Sequence, residues 1–332
     1  MRIDLVVRKL CLGSLLVVPL LIAGCGDDDD DDDINEPDPD DVSRGAYVVE
    51  HVAACGDCHT PRTQTGELDM SRWLAGVEVF ADLDTPDPEV GAIGAPNLTP
   101  AALADWTDDE IKNAFLNGVD EDGDALFPIM PYPVFHNMSD ADADQIVAYL
   151  RSIPAVENDI PDRQPLPFPF NDPAQPVPES AIPHTTLDST DVNFDAAERG
   201  RYLAGRIGAC MECHTPPAQG PIPLDLTKLF AGGRGFELGL PSPPFPPVIF
   251  SRNITPDANG IQGWTAEDVQ TLLLEGMDPA GNGVCPPMPA GPDGAYGGLA
   301  EQDALDIGHY LVTLPPIDNG VIEDCDPPGG RP

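Results

Sequence analysis

The stretch that decides the fold is Cys55-Gly56-Asp57-Cys58-His59-Thr60-Pro61, and it returns as Cys210-Met211-Glu212-Cys213-His214-Thr215-Pro216. The sequence around it repeats as well, in the same order and at an offset that drifts only from 155 to 161 residues. Chance does not keep seven matches in register, so the chain contains a tandem duplication. The other six matches pair Gly45-Ala46-Tyr47 with Gly200-Arg201-Tyr202, Leu74-Ala75-Gly76 with Phe230-Ala231-Gly232, Asn97-Leu98-Thr99-Pro100 with Asn253-Ile254-Thr255-Pro256, Trp106-Thr107 with Trp264-Thr265, Pro128-Ile129-Met130-Pro131 with Pro286-Pro287-Met288-Pro289, and Tyr149-Leu150 with Tyr310-Leu311.

Cys-x-x-Cys-His is the attachment signature of c-type haem. Two cysteines three apart on a helical turn can reach both vinyl groups of one haem, and the following histidine then faces the iron. A redox disulfide normally opens a helix near a βαβ unit, which this sequence lacks, and a zinc site needs four ligands. A structural disulfide would not require a histidine directly after the second cysteine, and here that histidine occurs in both repeats. We therefore predict two covalently attached haem c groups, held by Cys55, Cys58 and His59 and by Cys210, Cys213 and His214.

The sixth ligand of each iron is predicted to be a methionine. Met130 and Met288 each lie in Pro-x-Met-Pro, 71 and 74 residues after His59 and His214. Loop methionines at matching places in two repeats favour iron ligation over core packing. His136, six residues past Met130, is the competing ligand. His/Met ligation leaves no open position on the iron, which indicates electron transfer rather than catalysis.

Together these motifs resemble class I cytochrome c, present twice, and more narrowly the cytochrome subunits of membrane-bound alcohol and gluconate dehydrogenases. The resemblance implies a mainly α fold with long loops, made of two tandem class I cytochrome c domains. It implies an electron-transfer protein, not an enzyme, with the electron-transfer subunit of a dehydrogenase complex as one setting. It also implies that Gly45 and Gly200 pack against Tyr149 and Tyr310, and that Asn97 and Asn253 lie near the haem.

Each repeat is predicted to hold three short helices. The first begins near Ser43 or Ala197, the second runs from the capping residue Thr107 or Thr265 to Gly118 or Gly276, and the third ends before Pro154 or Pro315. Nine prolines between Pro154 and Pro183 favour an extended, semi-rigid linker. The predicted boundaries are 43–153 for domain 1, 154–196 for the linker, 197–316 for domain 2 and 317–332 for a C-terminal tail.

The N-terminus has the order of an export signal: basic residues, an apolar run, then small residues. Residues 1–24 are therefore a predicted lipoprotein signal peptide, since Leu21 to Cys25 resembles the lipobox of bacterial lipoproteins. That resemblance implies lipidation of Cys25, although an ordinary cleaved signal is the alternative. Residues 25–42, which contain seven consecutive aspartates, are a predicted acidic disordered tether. The expected location is a bacterial membrane facing the periplasm or cell surface, and Gly26 favours the outer membrane.

The charge of the chain restricts its partners. Asp and Glu number 57 against 16 Lys and Arg, a formal net charge of −41, which excludes nucleic acid as a partner. Redox partners are expected to present a positively charged docking face. Aromatic residues make up only 6% of the chain, so we expect the haems to fill the core.

Two further cysteines leave alternatives open. Cys285 and Cys325 are a possible disulfide, which an oxidising compartment permits. Cys285 could instead replace Met288 as an axial thiolate. An axial thiolate would favour the alternative function, which is a haem enzyme (dihaem peroxidase or thiosulfate-type dehydrogenase) with one catalytic haem.

Overall fold

Helices dominate the computed structural model, which describes residues 38–83, 86–87, 90–161, 164–208, 210–220, 222–237 and 248–322. The α-helices are α1 Pro39–Tyr47, α2 Gly56–His59, α3 Pro100–Leu103, α4 Asp108–Asn117, α5 Tyr132–Phe135, α6 Asp140–Ser152, α7 Phe194–Tyr202, α8 Cys210–Cys213, α9 Ala266–Glu275 and α10 Glu301–Leu311. Short 3₁₀ helices cover Met70–Arg72, Glu179–Ala181 and Ala295–Gly298. The predicted signal peptide, Cys25, Cys325 and residues 25–37 of the tether lie outside the described residues.

Two antiparallel hairpins complete the described elements. Strands β1 Val77–Asp82 and β2 Ala92–Ala95 pair in the first half, and β3 Gly235–Glu237 and β4 Val248–Phe250 pair in the second. In the second hairpin Phe236 lies opposite Ile249. Both halves thus share five elements in the same order. These are a long helix (α1 or α7), the motif helix (α2 or α8), a hairpin, a capped helix (α4 or α9) and a terminal helix (α6 or α10). No described helix has the length and apolar character needed to cross a membrane.

The first helix begins earlier than predicted. Helix α1 starts at Pro39, so residues 39–42 of the predicted disordered tether are helical, and that part of the prediction is wrong. The side chain of Asp38 caps the helix by accepting a hydrogen bond from the Asp40 amide at 2.9 Å. Proline suits the first helical position, and acidic residues in the first turn favour the positive end of the helix dipole. Helix α7 likewise starts at Phe194, inside the predicted linker, rather than near Ala197.

Each long helix ends in one π-helical turn, Val48–Val52 in the first half and Leu203–Ile207 in the second. The widened turn brings the chain to the first motif cysteine of each half.

The capped helices are confirmed. Thr107 and Glu110 form a reciprocal capping box on α4, and Thr265 and Asp268 do the same on α9. Both helices end at a glycine with positive φ, +69° at Gly118 and +72° at Gly276. Only glycine adopts that conformation without strain, so the two ends are set by local sequence.

The terminal helix of each half packs against the long helix at a glycine. A Cβ on Gly45 would lie 1.9 Å from the Gln145 carbonyl oxygen and 2.9 Å from Cβ of Tyr149. A Cβ on Gly200 would lie 1.9 Å from the Asp306 carbonyl oxygen. The predicted Gly45–Tyr149 contact is present. Gly200 lies nearest to the backbone of Asp306 and Ile307, and its contact with Tyr310 stays a prediction. The helices cross about one turn before the tyrosine.

The proline-rich segment, predicted to be an extended, semi-rigid linker, packs on the protein at Val177 and Ile182. Val177 is fully buried and its amide donates to the Pro133 carbonyl at 2.8 Å. Ile182 is also buried. Proline removes a donor and stiffens the backbone, so such a segment can cross a surface using few hydrogen bonds. One hydrophobic core includes buried residues from both halves and from this segment.

Candidate cofactor cavity

A cavity of about 2570 Å³ is lined by residues from both halves. Every predicted haem-binding residue lines it. They are Cys55, Cys58, His59 and Met130 from the first half, and Cys210, Cys213, His214 and Met288 from the second. In each half the fold therefore brings the methionine together with a motif that lies more than 70 positions before it in sequence.

Each motif histidine has a fixed ring orientation. The Nδ1 of His59 donates to the Pro96 carbonyl oxygen at 2.8 Å, and the Nδ1 of His214 donates to the Arg252 carbonyl oxygen at 2.6 Å. This leaves Nε2 as the atom that can bind a metal. Burial lowers the pKa of both imidazoles, which favours the neutral form that ligates metals. Each ring thus offers Nε2 as a neutral nitrogen donor.

The four motif cysteines are free thiols. Burial raises the pKa of Cys55, Cys58 and Cys213 to about 12 and that of Cys210 to about 11. A redox-active dithiol needs the opposite shift, because the thiolate is the reactive form. Burial and the raised pKa values therefore argue against a disulfide oxidoreductase and agree with thiols kept for covalent attachment.

The two motifs lie within electrostatic reach of each other. Burial is the main cause of the raised pKa of Cys58. The nearby groups Asp57, Cys55 and, from the other half, Cys213 raise this pKa further. Asp57 in turn raises the pKa of Cys213. The two sets of attachment residues thus face a shared region.

Both methionines lie in the loop that precedes the terminal helix. Met130 directly precedes Pro131 and α5, and the Tyr132 amide donates to the Met130 carbonyl at 2.8 Å. The Met288 amide donates to the Cys285 carbonyl at 3.1 Å. Both side chains are partly buried against the core and border the cavity. They are thus available as second axial ligands.

The two competing ligands, His136 and Cys285, each have another bonding partner. His136 is exposed, its Nδ1 lies 2.9 Å from Oδ1 of Asn117, and it borders a separate pocket of about 180 Å³. Cys285 is disulfide-bonded, which removes it as an axial thiolate. Its partner lies outside the described residues, so the Cys285–Cys325 pairing stays a prediction.

Asn97 and Asn253 each link two segments of the cavity wall by hydrogen bonds, an arrangement that we call the asparagine clamp. Asn97 accepts from the Thr99 amide at 2.9 Å and donates to the Val156 carbonyl at 2.8 Å. Asn253 repeats this with Thr255 and Ile317. Each one ties the chain after the terminal helix to the loop under the cavity, which is a role that the sequence reasoning missed.

The second variable position of the motif is acidic in both halves, but its surroundings differ. Glu212 is buried and pairs with Arg234, whose Nη1 also donates to the Glu212 carbonyl at 3.0 Å. Within the described structure the Oε2 of Glu212 has no hydrogen-bond partner. Asp57 holds the same place in the first half, where burial raises its pKa. Arg234 lies in a loop 20 residues past the motif, and no local pattern singled it out.

The cavity fits haem in its chemistry. Its donor set in each half is two thiols, one neutral imidazole with a free Nε2 and one thioether. Apolar residues from α4, α6, α9 and α10 supply much of the remaining wall, including Ile111, Leu150, Val269 and Leu311. Covalent haem needs this combination of soft attachment points, nitrogen and sulfur ligands and an apolar shell.

Comparison with known proteins agrees with this class of site. Residues 42–154 match the cytochrome c family, so the chain carries a cytochrome c domain there. The chain is 42% identical over 117 residues to a diheme cytochrome c-type protein of Cereibacter sphaeroides, covering 34% of this chain and 36% of that protein.

Longer matches are to subunits of dehydrogenases. The chain is 26% identical over 313 residues to the cytochrome c subunit of alcohol dehydrogenase (quinone) from Gluconacetobacter polyoxogenes, covering 85% of this chain and 58% of that protein. It is 26% identical over 294 residues to the gluconate 2-dehydrogenase cytochrome c subunit of Pantoea cypripedii, covering 83% and 61%. The chain thus spans less than two thirds of the length of each of these relatives.

Proposed function

We propose that this protein is a dihaem c-type cytochrome that transfers electrons between a donor and an acceptor. The observation that carries the proposal is the repeated donor set: in each half two free thiols, an imidazole fixed through Nδ1 and a methionine border one cavity. Bound haem c would supply one-electron exchange at its iron. The relatives named above, a diheme cytochrome and cytochrome subunits of dehydrogenases, support the same function.

The proposed assignment gives each residue one role. In the first half Cys55 and Cys58 would hold a haem through thioether bonds, and His59 and Met130 would bind its iron. Cys210, Cys213, His214 and Met288 would do the same in the second half. The Pro96 and Arg252 carbonyls orient the two imidazoles, and the apolar wall excludes water from them. With both axial positions filled by the chain, electrons would pass without substrate binding at the metal.

The repeat supports assigning residues 43–153 and 197–316 to two cytochrome c domains, although the family match covers only the first. The second half keeps the order of elements, the histidine-to-carbonyl bond and the asparagine clamp. Because the linker packs against the protein, we propose that it joins the domains into one body.

The partner is proposed to be a redox protein with a positively charged face. In the first half the cavity rim carries Asp120, Glu121, Asp122 and Asp124, whereas the matching second-half loop keeps only Asp278 as a charged residue. A dehydrogenase is one candidate, since several relatives are named as subunits of such enzymes. Export, lipidation of Cys25 and attachment to a membrane complete the proposal and rest on residues 1–25 of the sequence.

The proposal is tested on protein made with the haem-attachment machinery. Intact mass and the pyridine haemochrome spectrum should show two covalent haems, and a potentiometric titration should show two one-electron steps. Cys58→Ser and Cys213→Ser should each weaken attachment of one haem only. Protein without added tetrapyrrole would overturn the proposal. Rapid cyanide or carbon monoxide binding by the resting protein would favour the haem-enzyme alternative.

A further inference from the structure

Two tyrosines reach across the contact between the halves in a reciprocal way. The hydroxyl of Tyr202 donates to Oδ2 of Asp142 in the first half at 2.5 Å. The hydroxyl of Tyr47 donates to Oδ2 of Asp303 in the second half at 2.7 Å. Tyr47 and Tyr202 occupy equivalent places in the repeat, and so do Asp142 and Asp303. The contact therefore has approximate twofold symmetry.

Each hydroxyl also accepts a hydrogen bond from the start of the helix that it reaches. The Ser139 amide donates to the Tyr202 oxygen at 2.9 Å, and the Ala300 amide donates to the Tyr47 oxygen at 3.1 Å. These amides belong to Ser139 and Ala300, the N-cap residues of α6 and α10. Each tyrosine thus fixes the end of the terminal helix of the opposite half.

An arginine from the same half as the aspartate completes each group. Arg44 Nε donates to Oδ1 of Asp142 at 3.1 Å, and Arg199 Nη2 donates to Oδ1 of Asp303 at 2.8 Å. Asp142 is buried, and the Asp303 side chain is largely so. We call these groups the twin clusters: Tyr202, Asp142 and Arg44, and Tyr47, Asp303 and Arg199. Charge-assisted hydrogen bonds of this kind are short and directional. They therefore fix the relative orientation of the two halves as well as holding them together.

The contact that they fix includes the loops that carry the methionines. Helix α5, directly after Met130, packs against Leu203–Ile207 of the second half. The Ala295–Gly298 turn, after Met288, packs against Val48–Val52 of the first half. There the Nδ1 of His51 donates to the Ala295 carbonyl at 3.0 Å. A shift between the halves would therefore move each methionine loop and both sides of the common cavity.

We propose that the twin clusters are positioning residues that set the orientation of the two haems relative to each other, and with it electron transfer between them. This inference rests on the proposed function. No residue of the twin clusters lines the cavity, so they act through the contact between the halves and not through the metal.

The test uses the full haem-loaded chain with Tyr47→Phe and Tyr202→Phe combined. Phenylalanine keeps the ring and removes only the bridging hydroxyl. Two nearby haems at a fixed angle give a bisignate Soret circular-dichroism couplet, which depends on their mutual orientation. We expect the couplet of the wild-type protein to collapse in the double variant to two independent bands, and the rate of electron exchange between the haems to fall. The separation of the two midpoint potentials should narrow as well.

Tyr310→Phe is the matched control. The Tyr310 hydroxyl is also buried and donates to the Pro183 carbonyl at 2.8 Å, but it does not bridge the halves. This variant should keep the couplet. An unchanged couplet and inter-haem rate in the double variant, or a wild-type protein without a couplet, would overturn the inference.

Two more measurements separate this inference from the proposed function. Haem content and the methionine–iron charge-transfer absorption report on each site by itself, and both should match wild type in the double variant. Absence of covalent haem from the wild-type protein would instead refute the proposed function. Asp142→Asn with Asp303→Asn gives a second route, since it weakens the same bonds while leaving both tyrosines in place.

Discussion

Gly45 of α1 lies against Gln145 of α6 so closely that a Cβ at position 45 would be 1.9 Å from the Gln145 carbonyl oxygen. No side chain fits there unless the helices separate, because the contact is with rigid backbone. The same distance, 1.9 Å, recurs between Gly200 and the Asp306 carbonyl. The crossing of long and terminal helix therefore depends on one glycine in each half.

Gly45→Ala and Gly200→Ala are each expected to lower the free energy of unfolding by about 3 kcal/mol, at the upper end of overpacking costs. Chemical denaturation of the haem-loaded protein measures this. Gly283→Ala is the control, since a Cβ there would make only an ordinary contact at 3.8 Å with the Gly276 carbonyl. Equal stability of Gly45→Ala and Gly283→Ala would contradict the packing argument.

Met130→Ala and Met288→Ala should each remove half of the methionine–iron charge-transfer absorption and lower one of the two potentials. Thioether ligation raises the reduction potential, and its loss opens a coordination position. Each variant should therefore also bind carbon monoxide at one iron. Met277→Ala is the control, because Met277 is exposed and does not line the cavity. Full absorption in Met130→Ala would show that another residue is the ligand.

Arg234→Gln should destabilise the protein by about 3 kcal/mol, because it leaves the buried Glu212 carboxylate without its cation. Combining it with Glu212→Gln should restore most of that loss, since two neutral amides can replace the pair. A double-mutant cycle from thermal or urea unfolding gives the coupling energy. Additive effects of the two substitutions would show that the pair is not coupled.

Stability should fall at alkaline pH because of the bridging tyrosines. Burial, and then the hydrogen bond to an aspartate, raise the pKa of Tyr202. Burial also raises the pKa of Tyr47, and the Asp303 carboxylate adds to this. A raised folded-state pKa gives stability that is complete below the ordinary tyrosine value of about 10 and is lost as pH rises above it.

Urea unfolding between about pH 9 and 11 checks this, since tyrosine titrates near 10. The slope should be negative above about pH 10 and clearly shallower in the variant carrying Tyr47→Phe and Tyr202→Phe. A slope that is the same in both proteins would exclude the two hydroxyls as its source.

Electron transfer to a basic single-haem cytochrome c, used as the probe, should slow by on the order of tenfold between 0.01 M and 0.15 M ionic strength. Opposite charges steer the encounter, and salt screens them. Glu121→Gln with Asp122→Asn should weaken this dependence, because both residues border the cavity. Glu267→Gln with Asp195→Asn removes the same charge from exposed positions that do not line the cavity, and should have little effect. A rate that rises with salt would refute the basic-partner proposal.

Features carried by short sequence patterns could be predicted. The capping boxes at Thr107 and Thr265 and the helix ends at Gly118 and Gly276 follow from neighbouring residues, and the structure confirms them. Residues 39–42 were mispredicted because a run of acidic residues suggests disorder, whereas Asp38 and Pro39 are good helix-starting residues. The duplication predicted two equivalent sets of haem residues, but only the structure places both sets on one cavity.

The sequence by itself determined the repeat, the chemistry of each motif and the helices that carry them, because each of these rests on residues a few positions apart. Only the tertiary structure decided that Tyr47 reaches Asp303, that Arg234 neutralises Glu212 and that the proline-rich segment is buried at Val177. Such contacts join residues tens to hundreds of positions apart and need no periodicity or spacing. They depend on how the two halves fit together, which no local pattern encodes.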